Sequence, residues 1–124
     1  MKILLSVKPE YTDRILDGSK RYEYRRRLAA MPISSILLYA TEPVGKVVGE
    51  VKVTGTVSDS PTKLWEQTKK YAGITRERYR LYFHGKKKAH AYVLGDAKSF
   101  IVKKSLAEYR ITSAPQSFVY IDDK

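Results

Sequence analysis

The stretch from residue 47 to residue 57 constrains the fold most. Val47, Gly49, Val51, Val53, Gly55 and Val57 alternate with Glu50, Lys52, Thr54 and Thr56, a period of two that only an extended strand turns into one apolar and one polar face. Gly49 and Gly55 are costly in a flat strand and useful where a sheet bends. The strand is therefore expected to curve strongly, as in a small open or closed barrel.

The flanking segments supply its neighbours. Ile3 to Val7 reads as a short buried strand stopped by Lys8-Pro9. A helix follows, with Pro9 at its first position, Glu10 at its positive end, Tyr11 and Ile15 on one face and Gly18 as its stop. Residues 20 to 27 are too polar for a core strand but carry Tyr22 and Tyr24 two apart, and read as a half-exposed strand. Ser35 to Ala40 is an apolar strand, and Glu42 to Gly45 a turn. Ser60-Pro61 opens a helix ended by Gly73, and Thr75 caps a second ended by Gly85. Ala89 to Leu94 and Ser117 to Ile121 read as strands and Lys103 to Tyr109 as a strand-to-turn segment, with Gly95-Asp96 as punctuation. Five to six short strands and about three helices over residues 1–124 fit one α+β domain around a small mixed β-barrel.

Charge bears on function more than on fold. Lys and Arg number 24 against 13 Asp and Glu, a formal +11, and such a field favours polyanions through counterion release. With no cysteine and two histidines, His84 and His90, thiolate sites and most zinc chemistry are excluded, and neither a metal nor a cofactor is expected. No apolar run is long enough for a membrane span and the N-terminus is charged too early for a secretory signal, so a cytoplasmic location without a membrane partner is expected.

Three segments carry a family resemblance. Leu5 to Tyr11 runs into Gly18-Ser19-Lys20-Arg21-Tyr22-Glu23-Tyr24-Arg25, the pattern GxKxxExR. Gly73-Ile74-Thr75 is followed by Tyr82-Phe83-His84-Gly85 and the strand from Ala89. The ending is Ala114-Pro115-Gln116-Ser117-Phe118-Val119-Tyr120. In order and spacing these resemble the ASCH domains of the PUA-like superfamily. The resemblance implies a barrel of about six strands with a cleft at GxKxxExR, and a role in binding RNA or a nucleotide-like ligand.

Lys20, Glu23 and Arg25 are the central site candidates. Their types suit a phosphate beside a base edge: a planar fork in Arg25, a point charge in Lys20 and an acceptor in Glu23. In a regular strand Glu23 and Arg25 share a face and Lys20 does not, so either the chain kinks near Arg21 or Lys20 works from the turn. Lys8 at the end of the first strand, Arg26, and the tyrosines Tyr22, Tyr24 and Tyr82 set among cations complete the candidate ligand surface. Lys86, Lys87 and Lys88 form a second basic run, expected to contact phosphates without regard to sequence.

Two functions from different classes follow. The first is a non-catalytic RNA-binding or nucleotide-sensing module, with single-stranded RNA or a nucleotide as partner. The alternative is a hydrolase, because ASCH relatives include amidohydrolases acting on N4-acetylcytidine and proteins associated with ribonuclease activity. In the amidohydrolase branch the lysine is followed three residues on by threonine and paired with a distal carboxylate. Here Glu23 replaces the threonine and Tyr71-Ala72-Gly73 offers no counterpart to the carboxylate. Lys20 and Glu23 would be the catalytic pair of an enzyme, and binding is the preferred reading.

Overall fold

The structure is a computed structural model that describes residues 1–122. Its strands are β1 (Lys2–Val7), β2 (Tyr22–Arg25), β3 (Ser35–Ala40), β4 (Lys46–Asp59), β5 (Ala89–Lys104) and β6 (Phe118–Ile121), and its helices α1 (Pro9–Leu16), α2 (Pro61–Thr68) and α3 (Arg76–Tyr82). The six strands make one mixed sheet in the order β2-β5-β4-β3-β1-β6, curled into a half-barrel. β1 and β3 run parallel, joined by the excursion through α1 and β2, and every other pair is antiparallel.

The middle strands are apolar throughout because both faces of the sheet are covered. Ile3, Leu5 and Val7 of β1 and Ile36, Leu38 and Ala40 of β3 face the concave core, where Ile15 of α1 packs on them. Leu4, Leu37 and Tyr39 point the other way, under Phe100, Leu106, Tyr109 and Val119. A third cluster joins α2 and α3 to the outer side of β2 and β5 through Leu64, Tyr79, Phe83 and Tyr24.

β4 bends where its glycines stand. Its register against β5 shifts between Val47 and Gly49, between Val51 and Val53, and between Val53 and Gly55. At Gly49 a Cβ would lie 2.5 Å from the Lys98 carbonyl oxygen and 2.8 Å from Leu16 Cδ2, so this position is held by a close approach of backbone. The bulge also flips the strand's faces, since a shift of one residue exchanges inside and outside. Val47 therefore packs with Leu4 and Tyr39, while Val48 and Val51 belong to the concave core. The single apolar face expected from Val47 to Val57 is split at this point.

Two further expectations are corrected. Gly95-Asp96 does not end a strand; β5 continues to Lys104. Gly95 lies against β4, where a Cβ would meet Thr54 Cγ2 at 2.9 Å, so the glycine serves contact between strands and no turn. The segment around residues 20 to 27 contributes only Tyr22–Arg25 to the sheet, and Glu23 and Tyr24 are buried, not half-exposed. β2 is an edge strand whose outer side is covered by α2 and α3, which explains why so polar a strand is enclosed.

Candidate functional site

The half-barrel does not close by backbone pairing between β2 and β1. Arg25 spans the gap instead: Nη2 donates to the Ser6 carbonyl at 3.2 Å, while Nε and Nη2 donate to Glu23 Oε2 at 3.1 and 2.7 Å. Glu23 and Arg25 share a strand face, as the period of two requires. A cleft of about 630 Å³ opens over them. Its floor is Ser6, Lys20, Glu23, Tyr24 and Arg25, its rim Lys8, Tyr11, Arg26, Arg78 and Tyr82, with Ile74 and Leu81 on the helical side.

Lys20 reaches this floor from the turn before β2. Gly18, at φ +86, lets the chain leave α1 sharply, and the Lys20 amide then donates to Arg14 O at 2.9 Å. The side chain is 3% exposed. It runs beneath Gly73, and Nζ donates to Ala72 O at 2.7 Å, 4.9 Å from the centre of the Tyr24 ring and 5.5 Å from that of Tyr11. Burial pushes the Lys20 ammonium below its ordinary pKa, opposed by the nearby Glu23 carboxylate, while the Arg14 and Arg25 guanidiniums push it further down.

The segment before α3 is fixed by three successive carbonyls. Tyr71 O accepts from the Arg21 amide at 2.9 Å, Ala72 O from Lys20 Nζ, and Gly73 O from Arg14 Nη1 at 2.9 Å. α3 is tied to both banks of the cleft. Arg78 Nη1 donates to Glu10 Oε1 at 2.8 Å and Tyr11 Oη at 3.0 Å; Arg26 Nε donates to Tyr82 O at 2.8 Å with its guanidinium 4.2 Å above the Tyr82 ring.

Valence is left over at the floor. Among the described residues nothing bonds Glu23 Oε1 or Arg25 Nη1, and Lys20 Nζ has N–H groups beyond its one bond to Ala72. An acceptor, a planar donor and a cation are thus presented side by side between tyrosine rings. Such a set matches a nucleobase edge with its phosphate or carbonyl.

Seven of the candidate residues meet here: Lys8, Lys20, Glu23, Tyr24, Arg25, Arg26 and Tyr82. Tyr22 does not. It shares a strand face with Tyr24 but, standing at the start of β2, lines another depression with Arg21, Tyr71 and Gly95. Lys86 lines a groove between α2 and α3, and Lys87 and Lys88 are exposed in the turn beyond it. Tyr11, Arg78 and the 71–73 carbonyls were not visible from local sequence, because their place depends on contacts 50 or more residues away in the chain.

The helical wall gives an alkaline signature. Burial raises the Tyr24 phenol well above its ordinary value, against the opposing hydrogen bond with Thr68 Oγ1 at 2.7 Å, and pushes Tyr79 up to about 12. Both phenols stay protonated in the fold after an unfolded chain has released them, so their stabilisation is complete below pH ~10 and is lost as pH rises toward 12. Melting temperature is expected to fall across that interval, and Tyr24→Phe with Tyr79→Phe to fall less steeply. Parallel slopes would disprove the assignment.

A family model described as the ASCH domain matches residues 5–102. The chain belongs to the ASCH domain family. The ASCH domain-containing ribonuclease of Zymomonas mobilis is 33% identical over 122 residues, covering 95% of this chain and 82% of that protein. The crystal structure of ASCH from Zymomonas mobilis superposes with a TM-score of 0.90 at 30% identity, over 98% of this chain and 88% of that one. Large ribosomal subunit protein uL22 of Ureaplasma parvum is 29% identical over 120 residues; this chain spans 39% of its length. The ASCH neighbours fit the α+β, PUA-like class expected from the sequence. No helix among the described residues is long and apolar enough to cross a membrane.

Proposed function

We propose that this ASCH domain binds RNA by drawing one nucleotide into the Lys20–Glu23–Arg25 cleft. The observation that carries this reading is the pair of buried charged side chains, Lys20 and Glu23, set at the floor of a tyrosine-walled cleft. Buried charge is costly and persists where other groups compensate it. Here Lys20 is bonded to Ala72 O and Glu23 is paired with Arg25, and the remaining valences open to the cleft suit a base edge: Glu23 Oε1 accepts from an exocyclic amino group, Arg25 Nη1 donates to a carbonyl or phosphate, and Tyr24 or Tyr82 meets the ring. Lys8, Arg26 and Arg78 at the rim hold the adjoining phosphates.

A second reading is favoured by the 33% identical relative that is named a ribonuclease. In it the same cleft cleaves the strand that it binds. Lys20, lowered in pKa by burial, is then the proton-transfer group and Arg25 stabilises charge on the phosphate.

Single-stranded RNA titrated at two salt concentrations tests the proposal together with Glu23→Gln and Arg25→Lys. Wild-type affinity is expected to fall steeply with salt, because +11 places several cations near phosphates. Glu23→Gln adds a donor where only an acceptor stood, and should change discrimination among bases by about 1–3 kcal/mol. Arg25→Lys loses the fork and should reduce specific affinity while leaving the salt-sensitive background. Two variants indistinguishable from wild type would remove the cleft from RNA binding.

A further inference from the structure

We propose that the groove between α2 and α3 is a second nucleotide subsite, in which a base stacks on Trp65 and its phosphate lies between Arg76 and Arg80. The groove encloses about 450 Å³ and stands apart from the cleft described above, on the other side of α3. Arg78, Leu81 and Tyr82 face the cleft, whereas Arg76, Tyr79, Arg80 and Phe83 face the groove. Seven residues of helix thus serve two walls.

The groove has an aromatic floor with basic edges. Tyr79 and Phe83 are 2% exposed and form its base, with Tyr79 held by a 2.7 Å bond from its hydroxyl to Pro61 O. Trp65 is half-buried, its ring centre 4.7 Å from that of Tyr79 at a 45° tilt. A floor already fixed by packing offers stacking area at little entropic cost, and stacking on such a ring contributes about 1–3 kcal/mol per base. Arg76 and Arg80 stand one helical turn apart on the same face, a spacing of four residues that suits two forks on one phosphate. Both are exposed and neither forms a salt bridge among the described residues. The carboxylate on the opposite lip, Glu66, is engaged by Lys69 at 2.8 Å. With Lys86 also lining the groove, three cations stand against the single lining carboxylate Glu66, which Arg76 and Lys69 both influence, and the edges keep an excess of positive charge.

The two pockets also share a wall. Trp65, Tyr79, Phe83 and Tyr82 follow one another with ring centres 4.7, 4.9 and 4.8 Å apart, a chain of tilted and edge-on rings, buried at its middle two members, that links the groove wall to the cleft wall behind α3. A helix is roughly 10–12 Å across with its side chains, and a single strand a few nucleotides long reaches from one pocket to the other. The subsite is independent of what the cleft does.

Trp65 is the only tryptophan in the sequence and lines the groove and not the cleft, so its fluorescence reports on the groove. Adenosine 5′-monophosphate is expected to quench it saturably, and inorganic phosphate to leave it unchanged. Arg76→Glu combined with Arg80→Glu should raise the midpoint about tenfold or more. Lys20→Met, which alters the cleft, should leave the midpoint within about twofold. Absence of saturable quenching in the wild type overturns the proposal, as does equal quenching by inorganic phosphate. So does loss of the response in Lys20→Met, since the groove would then not be a separate site. Melting curves of the double arginine variant, whose substituted positions are exposed, establish that any loss is one of binding and not of folding.

Discussion

Lys20→Met is expected to weaken specific nucleotide binding in the cleft by about tenfold or more while leaving a folded protein. The substitution keeps the length and much of the bulk of the stem that passes under Gly73, and removes the ammonium. Three contacts go with it: the 2.7 Å bond to Ala72 O and the placements over the Tyr24 and Tyr11 rings. The Ala72 carbonyl left without its donor costs about 1–3 kcal/mol. Release of a buried charge from its desolvation penalty offsets part of that. Net stability at neutral pH should therefore move little, while affinity for a ligand that needs the cation should fall by about tenfold or more. Should the domain cleave RNA, turnover should disappear in the same variant, with residual binding through the rim.

The pH dependence of stability gives an independent check on Lys20. Its pKa in the fold is lowered from 10.5 by burial. Between the folded value and 10.5 the unfolded chain binds more protons than the folded one, so this residue makes stability rise with pH through that window. Lys20→Met removes the contribution, and its stability profile should lack the rise that Lys20 adds to the wild type. Denaturant unfolding at a series of alkaline pH values measures it. A difference between the two proteins that stays constant with pH would mean that Lys20 titrates normally, and the buried-cation description would fall.

The parts of the site that could be seen in the sequence are those set by local geometry. Glu23 and Arg25 share a strand face because they are two residues apart, and this holds. The pattern left open whether Lys20 joins them by a kink or from the turn; the structure has it in the turn, with Gly18 providing the change of direction. The rest of the cleft depends on segments that approach only in three dimensions. Arg78 meets Glu10 and Tyr11 across 67 or 68 residues, and Lys20 meets Ala72 across 52. No periodicity marks such partners. The fold was legible on the same basis: alternation located β4, and its glycines located the bend. Alternation cannot register a bulge, however, so Val47 lies on the side opposite to the one the pattern predicts. Gly95 stands inside a strand and not at its end; a glycine required by close strand contact has the same appearance in a sequence as a glycine required by a turn.

Gly73 should prove the most sensitive position around the cleft. Its φ of +64 lies in the left-handed region, and a Cβ there would overlap Cβ and Cγ of Lys20 and lie 2.9 Å from Cδ. Gly73→Ala therefore meets two penalties, one for backbone conformation and one for overpacking, together about 2–5 kcal/mol. The overlap can be relieved only by moving the Lys20 stem or the 71–73 segment, either of which breaks the bond between Nζ and Ala72 O. Loss of stability and loss of ligand affinity should accompany each other. Double-mutant analysis with Lys20→Gly separates the two penalties. In that background the overlap is absent and Gly73→Ala should cost only the backbone part, about 1–2 kcal/mol. The resulting coupling energy of about 1–3 kcal/mol would measure how far one glycine determines where the buried lysine lies. Additive single and double variants would show that the two residues do not act on each other, and that the position of Lys20 is fixed by other contacts.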